Sequence, residues 1–151
     1  MDVSLRLSLL NLVKKKKKKL KMSFVYISHD LSTSRYIASS GRVAVMYLGE
    51  IVEIGNIGDV IANPKHPYTR ALVKAVPIPD PEYRGSDELP LKSMQLGSLE
   101  NRGDGCSFYE RCLYSCESCH LRQQYVKTNT ADVLCCNLQE VLKEESNKNK
   151  I

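Results

Sequence analysis

No stretch of these 151 residues reaches the roughly 18 consecutive apolar residues that a membrane-crossing helix needs. The pattern of a secretory leader is also missing. Met1 to Val13 is apolar-rich, but its lysines follow it instead of preceding it, and no small-residue cleavage site closes it. The expected compartment is therefore the cytosol. There are no internal repeats, and little charge of one sign outside a single run. Lys14 to Lys19 and Lys21 account for the net charge of +5, and the rest of the chain is close to neutral. That leaves no distributed basic surface, and a nucleic-acid partner is not expected.

What is present suits an ordinary globular domain: 42% hydrophobic and 26% charged residues, and enough length to bury a core. Six cysteines stand out. The cytosol keeps thiols reduced, so they need an explanation other than structural disulfides.

Leu5, Leu9, Leu12, Val13 and Leu20 recur at near-helical spacing, so residues 3–20 are expected to be helical, with Asp2 as N-cap and the lysines on a solvated face. Adjacent like charges should weaken the end of that helix. Ser23 to Ser28 is a short run of β-formers without periodic polarity, which reads as a strand buried on both faces of a parallel sheet. Asp30 or Ser32 can cap a short helix through Ala38. Val43 to Tyr47 and Glu50 to Ile54 read as two strands turned at Leu48-Gly49. Gly58-Asp59 opens another short helix, broken at Asn63-Pro64. Tyr68 to Ala75 is a further helix, ended by Pro77. Residues 77–105 read as a linker, with Pro77, Pro79, Pro81 and Pro90. The tail from Lys143 to Ile151 is polar and is expected to fray.

Ile27-Ser28-His29-Asp30-Leu31 stands where the first strand should end, and open α/β sheets bind ligands at the carboxyl ends of their strands. An imidazole there can donate to a phosphate oxygen or hold an attacking water. The order strand, Ser-His-Asp-Leu, helix, then Arg42-Val43-Ala44-Val45-Met46-Tyr47-Leu48-Gly49-Glu50-Ile51-Val52-Glu53 resembles the C-terminal half of an ABC ATPase. Asn63-Pro64-Lys65-His66-Pro67-Tyr68-Thr69-Arg70-Ala71-Leu72, followed by Pro77-Ile78-Pro79-Asp80-Pro81, extends the resemblance to ATP-binding subunits of dipeptide/oligopeptide ABC importers. Gly41 departs from it, since the family usually carries Asp before the Arg. The resemblance implies that His29 is the switch histidine that contacts the γ-phosphate. It makes Asp2 the D-loop aspartate that couples the two ATP sites of a dimer. It implies ATP and magnesium as cofactors, membrane-spanning permease subunits and a second ATP-binding subunit as partners, a peptide handled only indirectly, and a cytoplasmic position on the inner face of the membrane. The 151 residues hold no Gly-x-x-x-x-Gly-Lys-Ser/Thr, signature helix or Walker B carboxylate. The chain by itself is thus expected to be inactive as an ATPase and to act only with a partner or full-length counterpart.

Five residues separate Cys106 from Cys112, six separate Cys112 from Cys119, and Cys135 and Cys136 lie about sixteen further on. Gly105-Cys106-Ser107-Phe108-Tyr109-Glu110-Arg111-Cys112 resembles the cysteine pattern of the same subfamily, with Glu110 where Pro is usual. That resemblance implies a 4Fe–4S cluster on Cys106, Cys112, Cys119 and Cys135, the last because Val133-Leu134-Cys135 fits the family's Val-x-Cys, with Cys136 as alternate. Four thiolates can instead hold zinc, and Cys116 and Cys119 do have zinc-like spacing. Cys116 to His120 also matches the c-type haem motif, but haem attachment needs export and is set aside.

The expected fold class is α/β: the C-terminal half of an ABC-type nucleotide-binding domain, a partial parallel sheet with helices, plus a small loop-rich cysteine module. The expected divisions are 1–76 for the ATPase part and the start of the importer extension, 77–105 for the linker, 106–138 for the cysteine module and 139–151 for the tail. The rival reading is a stand-alone iron–sulfur or zinc-binding interaction module.

Overall fold

A computed structural model describes residues 3–76, 89–95 and 104–148. Asp2, and with it the expected cap and D-loop role, lies outside these residues, as does most of the expected linker. The chain divides into two units, Met1–Ser39 and Ser40–Ile151.

In the first unit, α1 spans Val3–Leu20 and α2 spans Leu31–Ile37. The helix runs through the whole lysine block despite its charge. It closes where Lys21 takes a left-handed φ of 50°, and the Met22 N–H reaches the Lys17 carbonyl at 3.2 Å. Lys14 explains part of the tolerance: its ammonium donates to the Tyr36 carbonyl at 2.8 Å and lies 4.2 Å from the centre of that ring. Asp30 caps α2, accepting from the Thr33 N–H at 3.2 Å and from the Thr33 hydroxyl.

Residues 23–28 differ from the expectation. They form no strand, and Val25 and Ile27 are 90% and 91% exposed. The expected parallel sheet is not formed by the described residues; the sheet present is antiparallel throughout. A buried parallel strand is stable only with neighbours on both sides, and residues 23–28 are paired with none of the described strands.

The second unit carries the sheet, in the order β1-β2-β4-β3. Its first strands, β1 (Arg42–Tyr47) and β2 (Glu50–Asn56), form a hairpin. Leu48 and Gly49, at φ 44° and 81°, make the two-residue turn whose twist suits a hairpin. The register shifts between Val45, opposite Glu53, and Met46, opposite Ile51, so Val52 is an extra residue. This bulge lets the consecutive Val52 and Glu53 both be buried. Two short helices follow, α3 (Ile57–Ala62) and α4 (Pro67–Lys74). After 3-10 turns at Tyr109–Arg111 and Glu117–His120 come β3 (Tyr125–Lys127) and β4 (Ala131–Leu134). β4 pairs with β2, so part of the cysteine-bearing segment completes the hairpin's sheet. The last helix, α5 (Leu138–Lys148), takes in residues expected to fray. Leu138 and Val141 on its first turns are buried in the core, which accounts for its order. Among the described residues no helix is long and apolar enough to cross a membrane.

An extended, unpaired apolar segment is a template for strand addition. The purified chain is expected to self-associate, and Val25→Lys with Ile27→Lys is expected to reduce this. Sedimentation velocity checks it; a monodisperse monomer of the parent chain is the contrary result.

Candidate functional site: a buried carboxylate clamp beside a thiol cluster

Glu53 is fully buried, and each carboxylate oxygen accepts one backbone N–H: Lys65 on Oε1 and His66 on Oε2, both at 2.9 Å. The pair fixes the loop between α3 and α4, where Pro64 prevents helix from continuing. His66 then serves as N-cap of α4, its Nδ1 accepting from the Tyr68 N–H at 3.1 Å, with Pro67 at the first helical position, where its missing N–H costs nothing. Arg70 ties the same helix outward, donating from Nε to the Pro64 carbonyl at 3.0 Å and from Nη1 to the Val141 carbonyl of α5 at 3.1 Å.

Burial, and secondarily the Arg70 charge, lowers the His66 pKa to about 3. A hydrogen bond to the Leu134 backbone opposes this only weakly. Burial thus favours the neutral imidazole, whose Nδ1 accepts the Tyr68 N–H.

Phe108 is completely buried and joins these parts. Its ring centre lies 5.2 Å from Tyr47, 5.5 Å from Tyr68 and 5.8 Å from His66. The Arg111 guanidinium stands 5.8 Å from Phe108 and 5.9 Å from Tyr47. One aromatic from the cysteine-bearing segment thus plugs the space between hairpin and α4.

The same unit holds six free thiols, of which Cys112 and Cys135 share the core with Phe108 and Cys106 packs against it. Cys112, Cys119 and Cys135 are buried, Cys106 and Cys116 are half-buried, and Cys136 is exposed. Cys106, Cys112, Cys119 and Cys135 stand close enough for their charges to interact: Cys112 feels Cys135, Cys106 and Cys119. Burial pushes Cys112 up to about 12 and Cys135 up to about 11, and raises Cys106. These groups are therefore neutral thiols near pH 7 unless a cation takes their protons' place. Four cysteine sulfurs are the donor type that a four-thiolate cofactor takes. Gly105 is required beside them, because a Cβ there would meet the Cys119 carbonyl at 2.4 Å and break the Cys106 N–H bond to that carbonyl, which is 2.7 Å long.

The tightest grouping is a different one. Cys116, Cys119 and Cys136 have sulfurs all within 4.8 Å of one another, with Cys119 3.7 Å from Cys116 and 3.4 Å from Cys136. Burial acts to raise Cys116, but hydrogen bonds, first from Cys119 and then from the Ser118 backbone, hold it below the ordinary thiol value. Cys136 is pushed up, by burial first and then by its bond to Cys119.

Of the residues singled out from sequence, His29 is exposed, in the bend before α2. It belongs to the first unit, and the cysteines belong to the second. Glu53, His66 and Phe108 escaped the sequence reading. His-Pro before an apolar helical stretch was a readable cap signal. A bulge that turns a strand glutamate inward left no sequence trace.

Residues 52–119 match the family model of the oligopeptide/dipeptide transporter C-terminal region. The chain is 38% identical over 137 residues to the oligopeptide transport ATP-binding protein OppF of Haemophilus influenzae, covering 90% of this chain and 41% of that protein. It is 43% identical over 112 residues to OppF of Escherichia coli, covering 74% and 33%. The putative oligopeptide transport ATP-binding protein YkfD of Bacillus subtilis is 37% identical over 139 residues, covering 91% and 42%. The chain is a C-terminal portion of the ATP-binding subunit of a peptide ABC transporter, and it spans less than half the length of these relatives. The small α/β unit with its antiparallel sheet fits that part of such a subunit.

Two predictions follow from the clamp. Glu53→Gln replaces one accepting oxygen with a donor facing a buried N–H, and is expected to cost about 1–3 kcal/mol in chemical denaturation. His66 has a folded pKa below its unfolded value of 6.5, so the stability it contributes is complete above about pH 6.5 and is lost as pH falls toward about 3. His66→Asn puts an amide oxygen in place of the capping Nδ1 and removes the titration. The parent should lose stability over that window, and the variant should show a shallower slope in the same pH series.

Proposed function

We propose that this chain works as the C-terminal part of an ATP-binding subunit in peptide import, carrying the histidine that senses the γ-phosphate but depending on a partner or full-length counterpart for the rest of the nucleotide site. The observation that carries this reading is the match of residues 52–119, the segment built around the Glu53 clamp and Phe108, to the transporter C-terminal region. In it, His29 donates to the γ-phosphate, and Asp2 couples the two ATP sites. Permease subunits and a second ATP-binding subunit are the partners, peptide is handled through them, and the assembly works on the inner face of the membrane. Cys106, Cys112, Cys119 and Cys135 hold a 4Fe–4S cluster, which would add cross-links to a segment with little core of its own. Cys136 is the alternate fourth ligand, and zinc the alternate occupant.

Phosphoryl transfer depends on positioning and electrostatic stabilisation by a phosphate cradle, its lysine and a magnesium carboxylate, and His29 alone supplies none of these. The 151-residue chain is expected to show no magnesium-dependent ATP hydrolysis. Hydrolysis is expected when a polypeptide bearing those elements is supplied, and His29→Ala should then abolish it. Robust hydrolysis by the pure chain that is lost on His29→Ala would overturn the dependence on a partner. A supplied partner that restores nothing would favour the second reading, a stand-alone metal-binding interaction module, which the tight thiol trio supports.

A further inference from the structure

Six cysteines are two more than a four-thiolate site uses, and the two left over, Cys116 and Cys136, are the ones nearest Cys119. We infer that Cys116, Cys119 and Cys136 form a separate site for a single zinc ion, and that it shares Cys119 with the four-thiolate set, so the two occupancies exclude each other.

The sulfur spacing carries this. A tetrahedral zinc with bonds of about 2.3 Å to sulfur holds its thiolates about 3.8 Å apart. The Cys116–Cys119 separation is 3.7 Å and the Cys119–Cys136 separation 3.4 Å. The remaining four-thiolate ligands do not join this group.

The backbone builds the site from two sides. Cys116 is the N-cap of the 3-10 turn at Glu117–His120 and Cys119 is its third residue, and residues three apart in such a turn lie over one another. The Cys116 N–H points at the Cys119 sulfur, 3.4 Å away, and the Cys119 N–H bonds the Cys116 carbonyl at 3.0 Å. Cys136 arrives from the junction of β4 and α5. Gln123 holds it there: its Oε1 accepts from the Cys136 N–H at 3.1 Å, while its Nε2 donates to the Ser118 carbonyl at 3.1 Å. Asn137 adds a second tie, donating to the Tyr114 carbonyl at 2.9 Å. Outer partners of this sort orient metal ligands. His120 is turned aside, its ring 4.2 Å from that of Tyr109. Among the described residues no further His, Cys, Asp or Glu joins the trio, so zinc would keep one position for water or an incoming ligand. Binding releases the thiol protons to solvent and involves no redox step.

The test uses the full chain stripped of metal and titrated with Co²⁺ and then Zn²⁺. One ion per chain is expected, with the charge-transfer bands of tetrahedral thiolate cobalt. Cys116→Ser and Cys136→Ser, at positions outside the packed core, should each weaken binding more than about 100-fold, and Gln123→Ala about 10–100-fold. Cys106→Ser should leave zinc binding in place. Iron and sulfide incorporation should survive Cys116→Ser, and prior zinc loading should block it. Parent-like binding by both Cys116→Ser and Cys136→Ser, loss of zinc on Cys106→Ser, or no ion bound at all would each overturn the site. Failure of iron–sulfide incorporation with the zinc results as expected would remove the proposed cluster and leave this site standing.

Discussion

The second unit depends on one buried acidic side chain. Glu53 sits where β2 bulges, and its carboxylate is held by two backbone N–H groups of the loop leading into α4. A buried carboxylate without such donors costs several kcal/mol, so strand and loop are stable only together. The loop fixes His66, His66 caps α4 and donates to β4, and α4 reaches α5 through Arg70. Hairpin, both α4 and α5, and the strand from the cysteine-bearing segment are therefore coupled through a handful of hydrogen bonds. Phe108 fills the space those bonds define, and its contacts with Tyr47, Tyr68 and His66 would be lost if the loop shifted by a residue.

The thiols inherit their chemistry from this packing. Cys112 and Cys135 share the core with Phe108, and burial makes their ionisation unfavourable. Cys116 lies at the edge, where hydrogen bonds outweigh the penalty of burial. One cysteine-rich segment thus holds reluctant thiols inside and a readier one outside, joined through Cys119.

Much of the local structure was legible in the sequence. The hairpin turn at Leu48-Gly49, the Asp30 cap, the break at Asn63-Pro64 and the helix after His66-Pro67 rest on short-range chemistry that residue types encode directly. The strand expected at residues 23–28 and the sheet's parallel character rest on neighbours, which local sequence does not specify. The helical course of residues 143–148 was missed for a similar reason: their polar composition suggested fraying, while they continue a helix whose first turn, at Leu138 and Val141, is held by contacts from distant segments. The thiol trio was half visible. Cys116 and Cys119 had metal-like spacing, but Cys136 joins them through the fold and the Gln123 bridge, and no spacing rule reaches across that gap.

The exposed Ser23–Ser28 segment follows from the same contrast between local and non-local terms. Its β-formers carry apolar side chains on both faces, a pattern that is stable in water only when flanked by strands and covered by helices. Here Val25 and Ile27 face solvent, and the bend that presents His29 follows directly after them. Asp30 still caps α2 and fixes the far side of that bend, so the geometry after His29 is set locally. Residues 23–28 before it are in no strand, so strand pairing does not fix that side.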